Sequence, residues 1–111
     1  MNSTATGRQG EQLAAEWLVR SGYKILQRNW KTRLCESDFV ATRGDDLFFV
    51  EVKYRKSDAY GDGFAYLTPK KQQRMRFAAE VWMQAHTYEG NCQLAAISVN
   101  GTTSAIDFVE L

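Results

Sequence analysis

Two cysteines, one proline and one histidine among 111 residues leave little for several common ways of holding a small chain together. Cys35 and Cys92 lie far apart, outside any CxxC spacing and without a histidine partner. Neither a disulfide framework nor structural zinc is supported, and both thiols are expected to be reduced. Long apolar runs are missing as well. Stretches such as 47–50 (LFFV) and 94–97 (LAAI) fall far short of the ~20 residues a membrane span requires, so no membrane partner is expected. Residues 1–8 offer Ser, Thr and Gly but no apolar stretch, so no secretory signal is read there and the cytoplasm is the expected location. What the chain does have is 44% hydrophobic residues, with six Phe, five Tyr and three Trp. A chain of this size buries roughly two thirds of the surface its unfolded form exposes, enough for a core without staples. One domain spanning residues 1–111 is expected.

Net charge is +1, but it is unevenly spread: residues 1–34 sum to +4, 35–64 to −3, 65–88 to +3 and 89–111 to −3. Inside the acidic second block, Lys53, Arg55 and Lys56 stand directly beside several carboxylates. Mixed signs at close range suggest a site more than a solvated face, whereas the other blocks are equally well read as charges that keep a small domain in solution.

Along the chain, Thr4 or Thr6 can cap a helix whose Gln9, Leu13, Ala14, Trp17 and Leu18 fall at helical spacing, with Gly22 ending it. Glu11 lies at the edge of that buried stripe, an unusual place for a purely solvating acid. Residues 23–30 (YKILQRNW) are β-prone, 34–42 read as a second strand, and Arg43-Gly44-Asp45-Asp46 is a hairpin turn into a third strand over 47–54. Gly61 and Gly63 mark a loop. Thr68-Pro69 then supplies an N-cap and a first-turn proline for a helix of about five turns, with Met75, Ala78, Ala79, Trp82 and Ala85 as its inner stripe. Lys70, Lys71, Arg74 and Arg76 load the first turns of that helix with cations, against its macrodipole, which a polyanionic partner would explain. Strands over 93–99 and 105–109 flank the Asn100-Gly101 turn. The order αβββαββ gives an α/β domain with one mixed sheet flanked by helices.

Side chains two apart on a strand share a face, their Cα atoms about 6.6–7 Å apart. Glu36 and Asp38 therefore share one face of the second strand, and Leu47, Phe49, Glu51 and Lys53 one face of the third. Pairing through the hairpin turn can put Asp38 and the Glu51/Lys53 pair on the same side, so that three acids and a lysine converge. Such a cluster is costly unless a cation neutralises it, and hard oxygen ligands favour Mg2+ or Mn2+. A lysine beside the metal can orient water or stabilise charge on a phosphate transition state. An isolated ExK tripeptide would more simply be a cross-strand ion pair of small worth; the combination with Asp38, an upstream helical acid and a downstream basic helix changes the weighting.

Together these segments, Gly7 to Glu11 (GRQGE), GYKILQRNW, ESDFVA, FFVEVKYRKSDAYG and LTPKKQQRM, resemble the YraN-like family. That family is a branch of the PD-(D/E)XK nuclease superfamily related to archaeal Holliday junction resolvases. The resemblance covers nearly the whole chain and implies a restriction-endonuclease-like fold. It also implies Mg2+ (or Mn2+) ligated by Asp38 and Glu51, with Lys53 assisting the attacking water. By position, the family's helical glutamate falls on Glu11, an acid preceding the motif aspartate on Glu36, and a basic residue of the second helix on Lys71. Where the family pattern reads Gly-Glu-Ile-Asp, this chain has Cys35-Glu36-Ser37-Asp38; Ser37 would face away from the acids.

The reading is therefore a nucleic-acid-binding, metal-dependent endonuclease hydrolysing DNA phosphodiesters on branched or structured DNA, with Glu11, Glu36, Asp38, Glu51 and Lys53 as catalytic residues. Arg55, Lys56, Lys70, Lys71, Arg74 and Arg76 would contact phosphates, and a homodimer is compatible with the sequence. The alternative is a catalytically silent DNA- or RNA-binding module on the same fold; a third is a structural protein. His86 reads as a capping or surface residue, Trp17 and Trp82 as core, and Trp30 and Tyr66 as open to base stacking or a half-buried edge position.

Overall fold

The computed structural model describes residues 3–56 and 63–111, with side chains from residue 7 onward. Its elements run α1 (Ser3–Arg20), β1 (Lys24–Lys31), β2 (Glu36–Arg43), β3 (Asp46–Arg55), α2 (Pro69–Ala85), β4 (Cys92–Asn100) and β5 (Ile106–Glu110). The five strands form one mixed sheet in the order β1-β2-β3-β4-β5. β1, β2 and β3 pair antiparallel, β3 and β4 pair parallel with α2 as the crossover, and β5 returns antiparallel to β4.

Period-two alternation decides which helix each strand residue meets. Phe39 and Ala41 of β2, Phe48 and Val50 of β3, and Ala95, Ile97 and Val99 of β4 are buried together under Ala14, Ala15 and Leu18 of α1. Their neighbours of opposite parity, Val40, Leu47, Phe49 and Leu94, pack on the other face with Met75, Ala79 and Trp82 of α2. Each buried Phe or Leu contributes on the order of 1.5–3 kcal/mol. α1 comes close enough to β3 that a Cβ on Gly10 would meet the Tyr54 ring at 2.8 Å, so the helix can lie this low only with glycine there.

Turn chemistry sets the joints. Gly22 (φ 93°) and Gly44 (φ 62°) take the left-handed conformation at the end of α1 and in the β2–β3 turn. Thr68 accepts the Lys71 N–H at 3.2 Å as the cap of α2, with Pro69 in the first turn. Such a cap contributes about 1 kcal/mol.

Two expectations need adjusting. α1 already runs from Ser3, so Thr4 and Thr6 lie inside it, because nothing in the short polar segment stops a helix that the apolar face downstream holds in place. Ala85 is exposed, since α2 ends there and His86 stacks on Trp82 with ring centroids 4.0 Å apart. Gly61 lies outside the described residues.

Candidate functional site

The β2–β3 ladder runs from Arg43↔Asp46 to Phe39↔Val50 and goes no further, while β3 stays paired with β4 out to Arg55↔Asn100. β2 thus leaves β3 beside Glu51, Val52 and Lys53, and Asp38 lies on the departing strand. Past the end of the ladder the Val52 N–H donates instead to Asp38 Oδ2, at 2.7 Å. Parity places Asp38 with Val40, and Glu51 and Lys53 with Leu47 and Phe49, all on the α2 face.

Burial pushes the Asp38 carboxyl up to about 7; the Val52 hydrogen bond opposes this, and the negative charges of Glu51, Glu11 and Glu36 add to it. All the acids singled out in the sequence are therefore felt at one carboxyl group. They do not converge on one point: among the described residues no group of three or more His, Cys, Asp or Glu side chains is arranged to hold a metal ion. Asp38, Glu51 and Glu11 have each turned to a donor of their own, as neighbouring like charges do. Glu51 Oε1 is ion-paired with Lys71 Nζ at 3.0 Å. Glu11 Oε2 accepts from Asn29 Nδ2 at 3.0 Å, and Glu36 is exposed.

The expected cations divide. Lys53 is exposed, its Nζ 5.6 Å from the centre of the Tyr66 ring. Lys70, Lys71 and Arg74 line a groove that also contains Glu36 and Glu51. Arg55 is half-buried and donates through Nε to Ser98 Oγ at 3.0 Å. Lys56 is exposed at the end of the described segment. Arg76 is not among the residues lining that groove, and its charge acts on Cys92, which pairs with Leu47 at the opposite end of β3 from Lys53. Ser37 faces away from the acids as expected, buried and donating to the Phe39 carbonyl at 3.2 Å.

Two residues of this neighbourhood were not singled out for it. Asn29 holds Glu11 from a left-handed backbone position (φ 51°) in β1. An asparagine among β-formers was the available signal, since Asn is depleted in strands yet tolerates that conformation. Tyr66 presents a buried hydroxyl that has no hydrogen-bond partner among the described residues. Its pKa is raised by burial, then by the charges of Glu51 and Asp38. Nothing in the sequence distinguished it from an edge aromatic.

Residues 10–110 match the family described as "Uncharacterised protein family UPF0102". The chain belongs to the UPF0102 family, the YraN-like proteins. It is 44% identical over 82 residues to the UPF0102 protein of Streptomyces griseus, covering 74% of this chain and 69% of that relative. It is 35% identical over 108 residues to that of Syntrophus aciditrophicus, covering 95% and 85%. Over 100 residues it is 42% identical to the UPF0102 protein of Chlorobium chlorochromatii, covering 89% and 78%. Those names identify relatives and state no activity, so the chemistry of this UPF0102 member has to be argued from Asp38, Glu51 and Lys53 themselves.

Proposed function

We propose that the protein is a divalent-metal-dependent endonuclease of the PD-(D/E)XK type that hydrolyses DNA phosphodiesters. The observation that carries this reading is Asp38, a half-buried carboxyl held against the charges of Glu51, Glu11 and Glu36 with Lys71 on Glu51. A structural acid gains nothing from such company, whereas a cation would relieve it.

The donor set fits Mg2+ or Mn2+. Mg2+ keeps several waters and takes one or two carboxylates together with substrate phosphates, so Asp38 and Glu51 suffice without a closed protein cage. The Tyr66 hydroxyl, buried and without a hydrogen-bond partner among the described residues, is of the kind that hydration water satisfies. When bound, the metal would lower the pKa of a water and polarise the phosphate. The chain's own side chains do the rest. Asp38 is kept oriented by the Val52 N–H. The Lys53 ammonium, beside the Tyr66 ring, would donate to the attacking water or to phosphate oxygens as charge builds on them. Lys71, paired with Glu51, can move to the phosphate once another cation neutralises that carboxylate.

A non-cutting DNA- or RNA-binding module is favoured by one observation: Glu51 is already neutralised by Lys71 and no three-carboxylate group is present among the described residues. Incubating the pure chain in Mn2+ with linear, nicked, flapped and four-way DNA and with structured RNA decides between the two. The nuclease reading expects metal-dependent cutting of DNA that drops about 100-fold or more in Lys53→Ala while affinity for DNA stays within about twofold. If no substrate is cut while DNA is still bound, the binding module stands.

A further inference from the structure

Beside Glu51 a groove of about 470 Å3 opens between the β1–β2 turn and α2, with Lys70, Lys71, Arg74, Leu34 and Phe77 in its walls. That volume lies in the usual range for small-ligand pockets, about 300–1,000 Å3. Its composition is unusual for a phosphate-binding surface alone. Leu34 is 80% exposed and Phe77 46% exposed, and both face the same groove as the cations.

Neither apolar side chain is displayed by accident of a loose loop. Leu34 sits in a turn closed by the Thr32 N–H on the Cys35 carbonyl at 2.8 Å. The Thr32 Oγ1 also accepts the N–H groups of both Leu34 and Cys35, each at 3.1 Å. Lys70, Arg74 and Phe77 fall at i, i+4 and i+7 of α2, so two cations and an aromatic ring form one stripe along the helix. Opposing them are Glu36 and Glu51, the second already paired with Lys71.

An intact paired duplex keeps its base faces stacked inside the helix, so a phenylalanine beside its sugar-phosphate rails finds no open base face to cover. An unpaired nucleotide offers both chemistries at once, a phosphate for the cations and a base face for the ring. We propose that the groove receives an unpaired nucleotide of a single strand, its base against Phe77 and Leu34 and its phosphates on Lys70, Lys71 and Arg74. The site's substrates are then nucleic acids with a single-stranded segment next to the bond that is cut. This rests on the nuclease reading and narrows it from structured DNA in general to unpaired strands.

Fluorescence anisotropy with the full chain in EDTA, where nothing is cut, tests it. The probes are a labelled 20-nucleotide DNA strand, the same strand as RNA, and its blunt DNA duplex, at matched salt. The single strand, as DNA, RNA or both, should bind about fivefold or more tightly than the duplex. Phe77→Ala should lose five- to tenfold on the single strand and stay within twofold on the duplex, while Phe77→Trp keeps the preference. Phe77 is half exposed, so the variants keep the core. Equal binding of strand and duplex, or equal losses on both in Phe77→Ala, would overturn the inference. Metal-dependent cutting of fully paired DNA would then leave the nuclease reading standing without it.

Discussion

At Asp38 the fold works against the ionised form, and that has a measurable sign. The carboxyl titrates near 4 in the unfolded chain and is pushed up to about 7 in the fold. Between those values the native state holds a proton that the unfolded chain has released, so stability falls as pH rises through this window and levels off above it. Asp38→Asn keeps an oxygen for the Val52 N–H and has no charge to lose. In EDTA at pH 8 it should therefore be more stable than the natural protein, on the order of 2–4 kcal/mol, with the gap closing towards pH 4. Thermal or urea unfolding across that range checks it; equal stabilities at pH 8 would mean that Asp38 is well solvated or already neutralised. How much of this was legible differs residue by residue. Asp38, Glu51 and Lys53 could be placed on one face from alternation alone, because a two-residue period leaves no choice once the hairpin turn is fixed. Asn29 and Tyr66 could not, since their parts depend on a left-handed backbone angle and on a hydroxyl that burial cuts off from solvent.

On the scale of elements, α2 is where sequence and structure part company most usefully. Its cap, its first-turn proline and most of its buried stripe follow from local chemistry, and they appear as expected. Its basic residues looked equivalent in sequence, yet Lys70, Lys71 and Arg74 line the groove and Arg76 does not, its charge acting on Cys92 instead. Helical phase alone could not settle this, because which side of α2 meets the site depends on how the crossover lays it on the sheet. The salt dependence of duplex binding separates them. Replacing Lys71 and Arg74 together by Ala should flatten the slope of log affinity against log salt by about 1–2, since each lost phosphate contact removes about 0.9. Arg76→Ala should leave the slope unchanged. An unchanged slope in the double variant, or an equal effect from Arg76→Ala, would move the interface off this face.

For the whole molecule, a net charge of +1 hides the division that matters: carboxylates gathered where β2 leaves β3, and cations on the helix facing them. The element order and the single mixed sheet flanked by helices were readable from turn signals and periodicity; the strand order β1-β2-β3-β4-β5 was not, because alternation tells which face a residue takes and not which strand lies beside it. The end of the β2–β3 ladder at Phe39↔Val50 was not, as a register says where strands pair and not where they separate. Where the strands part, Asp38 lies close enough to Glu51 for that charge to act on it, and the proposed function depends on a divalent cation belonging there. The most direct test is titration of Mn2+ into the protein at pH 8, followed by paramagnetic broadening of backbone amide signals. One saturable site should broaden the amides around Asp38, Val52 and Tyr66 first, weakened at least tenfold in both Asp38→Asn and Glu51→Gln and lost as the pH falls to 5. Broadening spread over the surface, or a site that both variants leave intact, would contradict the proposed function.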